Sequence, residues 1–142
     1  MILEQVESII DYNLPLVSNL ANVSAVLNQL DNLNWCGFYL VEADYLYLGP
    51  FQGEVACTII PKGKGVCGEA FLMKQTRVVD NVLEYSNHIA CSAKSRSEIV
   101  VPILKNDEVV ALIDLDSPVF SRFGDAEQQL LEQVALILSK LF

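Results

Sequence analysis

Basic residues are scarce: nine Lys and Arg stand against eighteen Asp and Glu in 142 residues, for a net charge of -9. They gather into no stripe. A polyanion would be repelled, so nucleic acid is not an expected partner. Long apolar runs are missing too; none approaches the roughly 18 residues needed to span a bilayer. The N-terminus, MILEQVESII, carries Glu4 and Glu7, no early Lys or Arg and no small-residue cleavage site, so it does not read as a signal peptide. No membrane contact is expected, and the cytoplasm is the expected compartment. There is no internal repeat, low-complexity tract or linker, and the length suits one domain over residues 1–142. Histidine is limited to His88, and no CxxC occurs among Cys36, Cys57, Cys67 and Cys91. In a reducing compartment those thiols are expected to serve packing, metal binding or redox chemistry rather than structural disulfides.

What is abundant is apolar: 52% of residues, enough for a sizeable core. Helical spacing runs through residues 2–12, through Leu16, Leu20, Val23, Leu27 and Leu30 after Pro15, and from Asp125 to Phe142. Asp125 with Gln128 predicts a capping box at the start of the last helix. Between the helices the pattern becomes strand-like at 35–42, 45–52, 55–61, 98–105 and 108–116, with a short strand at Arg77–Val79. Short turns join neighbouring strands, which predicts a mainly antiparallel sheet. Helices at both ends predict an α+β fold with those helices packed on one face.

The segment IPKGKGVCGEAF contains a literal GxGxxG at Gly63, Gly65 and Gly68. A dinucleotide site would need a full helix, a second parallel strand and an acid about 20 residues on. None of these follows, and no GK[ST] completes a P-loop. The glycines read instead as a loop that presents Cys67, with backbone N–H groups able to meet a small carboxylate. Alternation in strand 35–42 places Trp35, Gly37, Tyr39 and Val41 on one face and Cys36, Phe38 and Leu40 on the other. Trp35 and Tyr39 across a glycine make either core or an aromatic wall for a small apolar group. Cys36 reads as a packed thiol.

Asp114 and Asp116 share a face near the end of the last strand, where they either emerge into solvent or are enclosed with a raised pKa. Glu98 lies on the partner strand. A plain two-residue turn at Asn106-Asp107 would set Glu98 opposite Leu115, on the wrong face. Only an odd-length turn or a bulge sets it opposite Asp116. A zinc site from Cys57, Cys67, His88 and Cys91 has spacing that fits no compact finger. A Cys–His nucleophile pair with His88 is a further minority reading.

Six segments together, WCGFYL (35–40), LGPFQGEVACTII (48–60), GKGVCGEAF (63–71), VVDN (78–81), HIACSAKSRSEIVVPI (88–103) and LIDLDSP (112–118), resemble the free methionine-(R)-sulfoxide reductases, a branch of the GAF-domain fold. The resemblance implies reduction of free methionine sulfoxide by thiols, with no cofactor and no metal. It implies Cys91 as nucleophile with Cys57 and Cys67 as candidates to resolve it; which of Cys91 and Cys67 attacks stays open. It makes Glu98, Asp114 and Asp116 substrate-binding carboxylates, Trp35 and Tyr39 an aromatic pocket, a thioredoxin-like protein the reductant, and a homodimer the expected assembly. Ser92, Asn87 and Ile59 depart from the family pattern. The alternative is a GAF-type sensor that binds a small ligand without turnover.

Overall fold

A computed structural model describes residues 1–89 and 91–142; Ala90, within the HIACSA segment, lies outside them. Six strands form one sheet in the order β3-β2-β1-β6-β5-β4. They are β1 (Trp35–Glu42), β2 (Tyr45–Gly53), β3 (Ile59–Pro61), β4 (Arg77–Val79), β5 (Ser97–Lys105) and β6 (Glu108–Ser117). Every neighbouring pair is antiparallel, as the short turns predict. The helices are α1 (Ile2–Ile9), α2 (Leu16–Leu27), α3 (Gly65–Met73) and α4 (Asp125–Leu138). Among the described residues no helix is long and apolar enough to cross a membrane.

The two faces of the sheet carry two cores. On one, the stripes of the terminal helices (Val6, Leu20, Leu27, Leu131, Leu138) pack on Cys36, Phe38, Ile99, Ile113 and Leu115. Cys36 is the packed thiol that its face predicts. On the other, α3 covers Trp35, Tyr39, Val100 and Leu112 through Val66, Cys67, Ala70 and Phe71. The period-2 pattern thus sends alternate residues of β1 and β6 to different cores.

Several boundaries differ from expectation for local reasons. The first helix ends at Ile9, not residue 12, because Ile10 is extended and the Asp11 carboxylate accepts from the Asn13 N–H at 2.9 Å. The side chain of buried Asn19 then accepts the Asp11 N–H and donates to its carbonyl, fastening that turn to α2. The last helix is capped at Gly124 rather than by the Asp125–Gln128 pair: Glu127 accepts the Gly124 N–H at 2.8 Å. Only Ile59–Pro61 of the expected strand 55–61 is paired as a strand with β2; the Thr58 carbonyl still accepts the Leu48 N–H at 3.0 Å, and residues 55–57 lie outside the sheet. Gly68 allows α3 to sit against β3, since a Cβ there would lie 2.6 Å from the Pro61 oxygen.

The β5–β6 hairpin decides what faces the α3 side. Asn106 and Asp107 both have positive φ (51° and 64°), the two-residue turn whose twist matches a hairpin. Lys105 pairs with Glu108 and Leu104 with Val109, but Ile103 pairs with Ala111. Val110 is the extra residue of a bulge. Beyond it the register is shifted by one, and Glu98 lies opposite Asp116. Of the two routes open to the sequence, the turn is the plain one and the bulge supplies the shift.

A second bulge lies where Gly37 pairs with Phe51 and Tyr39 with Leu48. A Cβ on Gly37 would overlap the Phe51 Cβ and crowd the Pro50 oxygen at 2.9 Å. Gly37→Ala should therefore destabilise the chain by about 1–3 kcal/mol through overpacking, read as a lower urea midpoint at unchanged slope.

Candidate active site

One cavity on the α3 side gathers the residues singled out in the sequence: Trp35, Tyr39, Cys67, Cys91, Glu98, Asp114 and Asp116 all line it. Cys57 is joined to Cys91 by a disulfide, with Cα atoms 5.5 Å apart and a sequence separation of 34. Of the two candidates the resemblance offers to resolve Cys91, Cys57 is the one bonded to it. The same bond removes Cys57 and Cys91, in this form, from the four-residue zinc set. Cys67 and Cys36 remain free thiols.

The aromatic wall is backed by a further ring, Phe51, that the sequence reading missed. Trp35 stacks on Tyr39 at 5.9 Å between centroids and on Phe51 at 5.2 Å. Phe51 could have been found from its place opposite Gly37, whose missing side chain makes the space. The wall also holds the chain that carries Cys57. The Trp35 indole N–H donates to the Glu54 carbonyl at 3.1 Å, and the Tyr39 hydroxyl donates to the Cys57 carbonyl at 2.8 Å. Both backbone oxygens lie where the chain runs outside the sheet between β2 and β3, and both are satisfied in this way.

Cys67 sits in the first turn of α3, not in a loop as the glycine pattern suggested. Gly63 and Gly65, both at positive φ, bring the chain into that turn, and a Cβ on Gly65 would press on Ile89 at 3.1 Å. The first N–H groups of the helix have no intrahelical acceptor, which leaves donors beside the cavity. Asn87, one of the departures from the family pattern, donates to the carbonyls of Gly63 (3.0 Å) and Gly65 (3.4 Å) and to Glu69. It stitches the connection bearing Cys91 to the glycine turn. Lys94 makes a second tie, to Glu54 at 2.6 Å. His88 lines the cavity, and burial lowers its pKa.

The floor is a buried acid cluster. The Cys67 thiol donates to Asp114 at 3.4 Å and lies 3.9 Å from Glu98. Glu98 and Asp114 are buried and Asp116 is half-buried, so the carboxylates do not emerge into solvent. Burial pushes each pKa up, and neighbouring negative charge adds to it: Asp114 for Glu98, Glu98 for Asp116. Asp114 is pushed up to about 8 by burial and then by Asp116. Burial, then Asp114, raises the Cys67 thiol well above its ordinary value. The cluster therefore holds protons at neutral pH, and Cys67 is held as a thiol rather than a thiolate.

The comparisons agree with this geometry. A family model described as "GAF domain" matches residues 15–141. The free methionine-R-sulfoxide reductase of Escherichia coli (strain K12) is 46% identical over 126 residues, 88% of this chain and 76% of that one. The protein of that name from Saccharomyces cerevisiae is 40% identical, covering 98% of this chain and 84% of its own. Among solved structures, the free methionine-R-sulfoxide reductase of Neisseria meningitidis in complex with its substrate superposes with a TM-score of 0.94 at 43% identity. That match covers 99% of this chain and 86% of the other.

The raised Asp114 pKa fixes the sign of a pH effect. Unfolded Asp114 ionises near 3.8, whereas the folded carboxyl holds its proton to about 8. The folded state binds the extra proton in that window, so this group's contribution is fully present below about pH 4 and is lost as pH rises through 8. Asp114→Asn should be more stable than the wild type at pH 8, by on the order of a few kcal/mol, a margin that shrinks toward pH 4. Thermal unfolding of the disulfide-intact protein across that range measures it.

Proposed function

The chain belongs to the free methionine-R-sulfoxide reductases of the GAF-domain family, and from that premise we propose that it reduces free L-methionine-(R)-sulfoxide to L-methionine. The observation that carries the reading is the disulfide between Cys57 and Cys91 beside a cavity floored by buried carboxyl groups whose burial raises their pKa values. A sulfoxide reductase needs both parts: a thiol pair that can take up the oxygen and supply two electrons, and an acid to protonate that oxygen.

Cys91 is the nucleophile. Its thiolate attacks the sulfoxide sulfur, and the oxygen passes to Cys91 as a sulfenic acid while methionine leaves. A carboxyl group of the cluster donates the proton that the departing oxygen needs. The Cys57 thiol then condenses with the sulfenic acid, forming the Cys57–Cys91 disulfide and releasing water. A thioredoxin-like dithiol protein in the cytoplasm returns both thiols by exchange, which fits a disulfide whose two cysteines are only partly buried. Cys67 stays in the cluster, where its S–H orients Asp114.

The same residues suit the substrate as a zwitterion. Glu98, Asp114 and Asp116 suit its ammonium group, the N–H groups of the first α3 turn suit its carboxylate, and the wall of Trp35 and Tyr39 suits its S-methyl group. Two copies pair through their terminal helices, a reading favoured by Val17 on α2 and Leu136 on α4, both exposed. Sedimentation velocity should give a dimer mass.

Thioredoxin-coupled NADPH oxidation tests the reaction. The wild type should turn over the (R) epimer and not the (S) epimer. Cys91→Ser should lose activity by on the order of 10,000-fold. Cys57→Ser should release about one methionine per chain and then stall with thioredoxin, since no resolving thiol remains. Cys67→Ser should slow turnover without stopping it. Activity that survives Cys91→Ser and vanishes in Cys67→Ser would exchange their roles. Folded protein with no turnover of either epimer would overturn the reductase reading.

A further inference from the structure

We propose that the glycine turn is a docking seat for the connection that carries Cys91, and that Asn87 and Ile89 are positioning residues that hold Cys91 beside Cys57 once the disulfide opens. Read from the sequence, the glycines present Cys67. Their contacts tie Gly63 and Gly65 to the Cys91 connection as well. The inference deepens the reductase reading and rests on it for the sulfoxide step alone; the thiol–disulfide step stands by itself.

The seat is rigid. The Gly63 N–H donates to the Gly68 carbonyl at 2.8 Å and the Lys64 N–H to the Pro61 carbonyl at 3.1 Å, which fixes the turn between β3 and α3. Two contacts of different kinds dock on it. The first is a polar hook. The Asn87 amide shares its two N–H groups among the Gly63 carbonyl (3.0 Å), the Gly65 carbonyl (3.4 Å) and Glu69 (3.3 Å). Glu69 is itself held by Arg77 of β4 at 2.6 Å, with both side chains mostly covered, so the hook ends on the sheet. The second contact is an apolar knob. Ile89 occupies the space that a side chain on Gly65 would need, its Cγ1 and Cδ1 atoms lying 3.1 and 3.2 Å from that position. Ile89 leads directly to the thiol, since its carbonyl accepts the Cys91 N–H at 3.0 Å.

Neither contact uses a sulfur atom, so neither depends on the disulfide. The Cys57 side is held in a similar way, by the Trp35 and Tyr39 bonds to the Glu54 and Cys57 carbonyls. With the bond open, the two thiols meet as fixed groups rather than as the tips of loose loops. Fixing two groups near each other raises their effective concentration without a new contact between them. That favours the disulfide over the dithiol, and it keeps Cys91 at the cavity for attack. Reduction by glutathione measures the first effect. Two glutathione thiols are oxidised to glutathione disulfide, and their two electrons and two protons pass to the Cys57 and Cys91 sulfurs.

The test equilibrates the full chain with reduced and oxidised glutathione and reads the dithiol fraction by alkylation and mass spectrometry. Asn87→Ala should shift the equilibrium toward the dithiol by roughly three- to tenfold, the net worth of about one hydrogen bond. Ile89→Ala should shift it the same way, and Ile89→Val, which keeps most of the knob, should stay near the wild type. Ser86→Ala, at an exposed position of the same connection, should leave it unchanged. Circular dichroism of the reduced proteins confirms the fold of each. In single turnover at saturating methionine sulfoxide, Asn87→Ala should slow methionine release with the half-saturating concentration unchanged, because Asn87 lies outside the cavity lining. An equilibrium unchanged in both Asn87→Ala and Ile89→Ala, or shifted equally by Ser86→Ala, overturns the proposal. A wild type that shows the equilibrium but no turnover overturns the reductase reading and leaves the seat standing.

Discussion

One unpaired residue governs the site. Without the bulge at Val110, the two-residue turn would carry its flush register along the whole hairpin, and Glu98 would point into the helical core opposite Leu115. With it, Val110 and Ala111 both lie on the helical side, and beyond them Leu112, Asp114 and Asp116 align with Val100 and Glu98 on the α3 side. The acid cluster, the raised pKa values and the hydrogen bond to Cys67 all follow from that shift. Side chains alone could not produce it, because a strand offers only two faces.

Three carboxyl groups and a thiol under a helix would be untenable if all were charged. The structure resolves this by proton sharing rather than by neutralising bases, since no ion pair reaches Glu98 or Asp114 among the described residues. The consequence is chemical as well as structural. Groups that cannot all ionise together are groups that deliver protons, and a sulfoxide oxygen needs one to leave. In the proposed function, specificity for a small zwitterion and proton supply would be two aspects of the same burial.

Much of this was legible in the chain, and the reasons differ by element. WCGFYLVE reads as a strand with two distinct faces because its alternation is strict, and the structure keeps both its limits and its faces. The hairpin could be reduced to two registers by counting, but choosing between them required knowing that both faces of the sheet are covered. The strand expected over 55–61 failed in its first half because Val55 and Cys57 serve the cavity margin, where β-propensity yields to side-chain hydrogen bonds from Trp35 and Tyr39. The Cys57–Cys91 pairing was legible only as one of two candidates, Cys57 and Cys67, that the resemblance offered for Cys91. It joins two connections whose approach depends on α3 crossing the sheet. The role of Asn87 was equally hidden, since nothing local ties an amide to glycines more than twenty residues earlier.

The Cys57–Cys91 bond closes a ring of chain that contains β3, α3 and β4 and leaves the terminal helices outside it. In the chain-entropy model, a ring of that size restricts the unfolded ensemble enough to favour the folded state by roughly 3–4 kcal/mol. Each catalytic cycle would therefore make and break a cross-link that bears on global stability. The waiting, reduced form is the looser molecule, while the oxidised form is braced until its partner arrives. Exposure to oxidant and substrate thus converts, through topology alone, into resistance to unfolding.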